Sequence, residues 1–413
     1  MTPADDSIVD CDVAIVGGGM VGGVLAWSLA GSGLQVSLVE RATLQDAAAR
    51  AGERSTAISW GSRQLLDAIA LWADLSTGAS DITRIHVSQQ GHLGSVRMCA
   101  EDHHIEALGY VVRNAALLRS LSQRLPSVGN LNIQSPAQMS SFSQCGKEAR
   151  LVLDNGQTLR TKLVVVVDGS ESSTRRMVGI NTETEDYEQH AIVATLTSVD
   201  VPAGMAWERF TADGPMALLP LGEGQLSLVY TLPSEKLEEV LALSDDAFIQ
   251  QVQAGIGRRV GRIVGTSVRQ AFPLRRVSVE SSWQRRVVLL GNAARTLHPV
   301  AGQGFNLALR DAMTLAEQLQ GLAIGQDPGA DFMSEQFLRR RRADQRETIA
   351  LTDVLARTFK GHSSMLGHLR GAGLIATDRL PLLRQGFARR SMGLAHRLPK
   401  VVAPPFVGGN EYS

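Results

Sequence analysis

The chain lacks any apolar run of the roughly 18 residues that a helix needs to cross a bilayer, so no membrane-spanning helix is expected. Cysteine is scarce: Cys11, Cys99 and Cys145 are odd in number and far apart. They form neither a disulfide framework nor a metal-spaced set, which points to a reducing compartment and no bound metal. Net charge is absent too. The 41 Lys and Arg balance the 41 Asp and Glu, which argues against nucleic acid or another polyanion as partner. The acidic first ten residues have no apolar core and do not read as a signal peptide. There is no internal repeat and no low-complexity block. What remains is an ordinary globular composition, 44% hydrophobic and 20% charged over 413 residues, long enough for two domains or one large composite.

Two segments carry most of the information. Near the N-terminus an apolar strand over Cys11–Val16 runs into Gly17-Gly18-Gly19-Met20-Val21-Gly22, then a helix pattern to about Ser32. A second strand, Gln35–Val39, ends at Glu40. This is G-x-G-x-x-G in its required setting of strand, turn, helix and an acid about 20 residues on. Gly17 permits the tight turn, Gly19 lets a pyrophosphate approach the backbone, and Gly22 lets the helix lie against the strand. Glu40 suits the ribose hydroxyls. The motif alone does not separate NAD from FAD.

The second segment is Gly291–Asn306, between a short strand at Arg286–Leu290 and a helix over Phe305–Leu322. It has three glycines and little bulk. A helix that starts from such small residues leaves free N–H groups, which favour an anionic or polarisable ligand. Between the two segments, the valine-rich run Leu163–Val167 reads as a strand buried on both faces, ending in Asp168-Gly169 with Ser172 and Arg175 beyond. Polar residues at the carboxyl end of a parallel strand sit where such sheets bind ligands. A simple strand-to-helix turn, with Ser172 capping and Arg175 solvated, is the alternative.

Elsewhere the pattern changes. Ile82–Met98 alternates and breaks at Gly91 and Gly94 like a hairpin. Short alternating runs over Ala191–Thr197, Trp207–Phe210, Met216–Leu221 and Gln225–Leu232 predict an antiparallel sheet, and Leu237–Val252 a helix. From Asp331 to Lys400 the chain reads as helical, with Arg339–Arg342 on a solvated face. Arg357–Lys400 holds nine Lys and Arg against one acid, net +8, interleaved with Leu366, Leu369, Leu374, Leu380, Leu382, Leu383 and Leu394. Such a segment fits either an anionic membrane surface or a basic exterior over a leucine core.

The three motifs in order, GGGMVG with Glu40, Asp168-Gly169 with Arg175, and Gly291–Asn306, resemble the FAD-dependent aromatic hydroxylases, the class A flavoprotein monooxygenases. The resemblance covers nearly the whole chain. It is closest to the methoxyphenol hydroxylases of ubiquinone biosynthesis, through His86-Val87-Ser88, Gly91-His92, Glu208-Arg209-Phe210-Thr211, Gly214-Pro215, Leu219-Pro220 and Gly291–Pro299. Asn292 stands where the wider family has Asp, keeping a carbonyl acceptor without the charge.

The resemblance implies an α/β fold: a Rossmann-like FAD-binding domain, an inserted antiparallel-sheet substrate domain and a helical C-terminal region. The implied division is 1–80, 105–185 and 278–325 for FAD, 81–104 and 186–277 for substrate, and 326–413 for the helices. It implies that Gly17, Gly19 and Gly22 cradle the pyrophosphate, Glu40 holds the ribose, and Arg54 and Arg113 sit beside flavin and phosphate. Asp168 and Gly169 lie near both FAD and a transiently bound NAD(P)H. Asn292 supports the ribityl side, and Gly302, Gln303, Gly304, Phe305 and Asn306 face the pyrimidine end of the isoalloxazine. His298 and Pro299 lie beside the flavin, His298 as the candidate for moving a proton. Arg295 would touch phosphate or solvent. The implied reaction is hydroxylation of a polyprenylated methoxyphenol by reduced FAD and O2 through a flavin hydroperoxide. The implied location is cytoplasmic, peripheral at the inner membrane, on an anionic surface or in a ubiquinone-biosynthesis assembly. Other FAD hydroxylases of this fold, a non-catalytic prenyl-binding protein and an NAD-dependent dehydrogenase remain alternatives. The last leaves two of the three motifs unexplained.

Overall fold

Three sheets organise the molecule. The computed structural model describes residues 8–358 and 364–404. The first sheet is built on Ile8–Val16, which pairs in parallel with Val36–Val39 on one side and Thr158–Val166 on the other. Leu131–Gln134 extends it in parallel beyond Val36–Val39. Residues 163–166 are fully buried, as a continuous apolar run predicts for a strand covered on both faces. Thr158–Val166 is longer than its apolar part and serves two neighbours. Its first half pairs antiparallel with Glu148–Leu153, and its second half pairs in parallel with Val287–Leu289. The helix Met20–Ser28 is shorter than the expected span. It packs on the same face as the long helix Gln303–Gln320, whose Leu309, Ala312, Met313 and Ala316 fill the core.

The second sheet runs in the order 262–266, 183–199, 225–233, 215–222, 205–210, 84–89, 95–99, with Gln270–Ser278 also on Glu183–Val199. All four expected alternating runs are strands of it, and the expected hairpin is its edge. The predicted helix at 237–252 is two helices, Leu237–Leu241 and Asp245–Ile256, because Ser244 caps the second by accepting the Ala247 N–H at 3.3 Å. A small sheet of Ser55–Ser59, Gly109–Arg113 and Ser80–Ile82 was not expected from the sequence pattern, nor was the hairpin Met139–Cys145/Glu148–Leu153. The outer strand of that hairpin is largely polar and exposed, so its apolar alternation is faint.

The C-terminal helices span Asp331–Thr358, Ser364–Arg379 and Pro381–Ser391. The arginine run is not simply a solvated face. Arg339 and Arg342 are exposed, but Arg341 is buried between Asp311 at 2.6 Å and Asp344 at 2.5 Å. Arg310 joins Asp344 at 2.7 Å, locking this helix to Gln303–Gln320. Of the interleaved leucines, Leu374 and Leu394 pack against a core cluster, while Leu380, Leu382 and Leu383 are exposed. The side chains of Leu366 and Leu369 lie outside the described residues. No described helix is long and apolar enough to cross a membrane.

Candidate active site

Two cavities are lined by consecutive residues, one by Arg54 and the other by Ser55. The first is a cleft of about 540 Å³ that gathers Gly17, Gly19, Glu40, Arg54, Asp168 and Gly169 at the carboxyl ends of the parallel strands. Gly17 turns at φ +114, and a Cβ there would stand 2.6 Å from the Val167 carbonyl oxygen. A Cβ on Gly22 would lie 1.9 Å from the Gly17 carbonyl oxygen, so this glycine sets how closely helix and strand approach. A Cβ on Gly19 would meet nothing within 4 Å, leaving the backbone open to the cleft. Glu40 is pinned by two N–H donors, Gly18 at 2.6 Å and Ala42 at 3.1 Å. Two bonds leave carboxylate lone pairs for a ligand hydroxyl.

Asp168 accepts the Thr174 N–H on one oxygen at 3.2 Å, and its other oxygen is buried without a partner. An orphaned buried acceptor beside an open glycine turn is what a bound polar ligand would satisfy. Arg54 reaches back to the carbonyls of Ala51 at 3.1 Å and Arg50 at 3.2 Å while still lining the cleft. Arg41 and Arg50 line it as well, two cations that sequence reasoning missed. Their position on either side of the helix Leu44–Arg50, directly after the acid, was the available signal.

The second cavity, about 300 Å³, lies between an apolar face of the second sheet and the start of the long helix. Ile85, Val87, Ala206, Ala217, Leu219 and Val229 form one wall. Pro299, Ala301 and the whole of Gly302–Asn306 form the other, and Phe387 and Ser391 cover one side. Ala301 at φ +60 and Gly302 at φ +58 turn the chain sharply into the helix. The N–H groups of that first turn have no partner within the helix. Asn306 fixes the turn to Ser55–Ser59, accepting the Ser59 N–H at 2.9 Å and donating to Ala57 at 2.9 Å and Gly302 at 2.8 Å. Gln303 donates to the carbonyls of Ala301 and Ser391.

A third cleft, about 860 Å³, shares Ser170 and Glu171 with the first and holds Asn292 and His298. His298 is therefore on a different side from the apolar cavity that Pro299 lines. It is 1% exposed, and its Nδ1 accepts the Val300 N–H at 3.3 Å. The ring then carries its proton on Nε2, 3.4 Å from Gln189 Oε1, and stands edge-on to Tyr187 at 5.2 Å. Burial lowers its pKa to about 4, so it is neutral at physiological pH. This geometry braces the loop and differs from the proton-moving part expected of it.

Arg175 is buried, not solvated. It donates to the carbonyls of Ala293 at 2.8 Å and Ser170 at 3.1 Å, tying the Asp168-Gly169 loop to the Gly291–Ala293 turn. Arg295 lines none of these clefts and is mostly buried: it pairs with Asp311 at 3.1 Å. Arg113 lines neither cavity, and its guanidinium donates to Gln225 at 2.9 Å.

Sequence reasoning also gave no site role to Glu208. It stands on strand Met205–Phe210, opposite Ala217 and Val87, with its accessible surface in the apolar cavity. Its Oε1 accepts the Ala301 N–H at 3.2 Å. Burial pushes its carboxyl up to about 7, and the Ala301 N–H pulls only weakly the other way. The signal was present in Ala206-Trp207-Glu208-Arg209-Phe210: period-two alternation puts an acid on the face shared with Ala206 and Phe210.

The fold and the paired cavities define a flavoprotein of the aromatic-hydroxylase class. Residues 10–345 match the FAD binding domain family, and the chain belongs to it. The ubiquinone hydroxylase UbiL of Rhodospirillum rubrum is 33% identical over 384 residues, covering 92% of this chain and 89% of that protein. The 3-demethoxyubiquinol 3-hydroxylase of Escherichia coli is 30% identical over 390 residues, covering 93% and 98%. Among solved structures, p-nitrophenol 4-monooxygenase PnpA from Pseudomonas putida superposes with a TM-score of 0.77 at 16% identity, covering 95% of this chain and 99% of that one. The likeness to PnpA shows the fold. The glycine turn, the pinned Glu40 and the unpartnered Asp168 oxygen fit FAD, which is the cofactor of this family.

Proposed function

We propose that the protein hydroxylates the aromatic ring of a polyprenylated methoxyphenol in ubiquinone biosynthesis, with FAD, O2 and NAD(P)H. The observation that carries this reading is the apolar cavity set directly against the helix start at Gly302–Asn306. The full-length likeness to two ubiquinone-ring hydroxylases supports it.

In this reading Gly17, Gly19, Gly22 and Arg54 hold the pyrophosphate and Glu40 the ribose. Asp168, Gly169 and Asn292 flank the path toward the ring system. Reduced flavin supplies the activation of O2. The helix start at Gly302–Asn306 favours the negative charge of the reduced ring through free N–H groups and the helix dipole. The apolar wall excludes water from the reacting ring. Arg113 is given no role in this reading, because its guanidinium donates to Gln225.

A polyprenylated phenol resides in membranes, so the protein must meet one. The helix Pro381–Ser391 supports contact there: Phe387 lines the cavity while Leu380, Leu382 and Leu383 stand exposed at the helix start. The arginines contribute less than the net count implies. Arg384, Arg390 and Arg397 face Asp102, Glu347 and Glu317. We therefore place the membrane contact on the leucines first.

Deleting the gene tests the reading. The expected result is accumulation of a prenylated ring intermediate one hydroxyl short, restored by the wild-type gene. Unchanged quinone content and no accumulated ring intermediate would contradict it.

A further inference from the structure

Among the described residues lining the apolar cavity, Glu208 is the single ionisable side chain. The strands 55–59, 84–89, 215–222 and 225–233, the turn 299–306 and the helix Pro381–Ser391 present no other titratable group to it. Arg209, next to it in sequence, and His86, next to its register partner Val87, belong to a separate basic cluster with Arg259, 3.1 Å from His86. Among the described residues Glu208 pairs with no cation. The Ala301 N–H donates to its Oε1 at 3.2 Å, and among the described residues no protein group bonds its Oε2.

An isolated carboxylate in an apolar wall is costly unless something bonds to it. Here it adds nothing to the sheet, where its cross-strand neighbours are Ala217 and Val87. It sits in the cavity that the hydroxylase reading assigns to the substrate ring. A phenol brings the complementary group, an O–H donor on an otherwise apolar body.

We propose that Glu208 is the catalytic residue that accepts the proton of the substrate's phenolic hydroxyl. The inference rests on the ring-hydroxylase reading above. The O–H bond breaks, the proton goes to Glu208 Oε2, and the electron pair stays on the phenolic oxygen. That raises electron density at the ortho and para carbons, which is what oxygen transfer to the ring requires. Ala301 keeps its hold on Oε1, so the carboxyl does not turn away when it is protonated. The carboxyl returns the proton to solvent when product leaves. Burial places the carboxyl near 7, so it is unprotonated in the upper neutral range and still basic enough to assist a phenol whose ordinary pKa is about 10.

The test uses the FAD-loaded protein, its Glu208→Gln and Glu208→Asp variants, and a short-chain prenylated 2-methoxyphenol. Wild type should gain hydroxylation rate as pH rises through about 7. Glu208→Gln should keep FAD, lose on the order of 100-fold in rate at neutral pH, lose that pH limb, and recover toward the pKa of the phenol. Glu208→Asp should keep a pH limb at reduced rate. A Gln variant with wild-type rate and pH profile would overturn the inference and leave the hydroxylase reading standing. Loss of FAD from both variants would assign Glu208 to supporting the Ala301 turn and overturn its proton role. A wild type that binds FAD but hydroxylates no phenol would remove the functional reading and the inference together.

Discussion

Asn306 accepts the Ser59 N–H at 2.9 Å and so joins the helix start at Gly302–Asn306 to the strand that follows Arg54. Its amide nitrogen is used twice more, on the carbonyls of Ala57 and Gly302. One side chain thus joins two walls of the apolar cavity. Asn306→Ala should destabilise the fold by ~1–3 kcal/mol, because it strands a buried N–H and two carbonyls. It should also weaken FAD retention. Thermal denaturation and FAD release on gel filtration check both, and an unaltered melting temperature would remove Asn306 from this role.

Glu40→Ala should cost ~1–3 kcal/mol of FAD affinity, since the carboxylate both braces Gly18 and faces the cleft. Titrating FAD into apoprotein measures it. Glu40→Gln should retain part of the affinity, because an amide still offers an acceptor.

The cluster of Arg310, Asp311, Arg341 and Asp344 ties the helix Asp331–Thr358 to the helix Gln303–Gln320. Asp344→Ala leaves two buried guanidinium groups without that partner and should destabilise by ~3–5 kcal/mol. Those guanidinium groups hold the Asp344 carboxyl well below the usual range. Its stabilising contribution is therefore complete above the ordinary carboxyl pKa and declines as pH falls beneath it. Urea denaturation at several pH values should show this acid-side loss in wild type and a reduced loss in Asp344→Asn.

His298 is buried with a pKa near 4, against about 6.5 when unfolded. The unfolded state takes up the proton first, so stability should fall as pH drops from about 6.5 toward 4. Between about pH 7 and 5.5 the loss should be ~1 kcal/mol. Replacing His298 with Gln should remove that slope, and hydroxylation by the folded variant should keep its own dependence near 7. A hydroxylation limb that vanished in His298→Gln while stability kept its slope would return the proton role to His298.

The exposed leucines carry the membrane contact in this account. Changing Leu380, Leu382 and Leu383 together to Gln should lower co-sedimentation with anionic vesicles while FAD stays bound. Binding equal to wild type would show that this surface does not meet the bilayer.

The nucleotide half of the site was legible because its determinants are local. Gly17 to Glu40 is one strand–turn–helix–strand unit, and the sequence order of its residues is their spatial order. Gly302–Asn306 was legible for the same reason. Arg295 and Arg341 were not, because their partner Asp311 lies 16 and 30 residues away and the burial comes from helix packing. The burial of His298 was not legible on similar grounds. Its environment is made by Tyr187 and Gln189, more than a hundred residues earlier in the chain. Glu208 was visible as an acid on an apolar strand face, but only the structure sets that face against the helix start. The exposed ends of the C-terminal helices gave a net charge without revealing that Asp102, Glu317 and Glu347 answer part of it.

Oxygen incorporation tests the central claim most directly. FAD-loaded protein with NADPH and a prenylated 2-methoxyphenol, under oxygen-18 gas, should give a product that carries one labelled oxygen on the ring. A product labelled from water instead, or NADPH consumption that yields only hydrogen peroxide across the prenylated phenols, would contradict it.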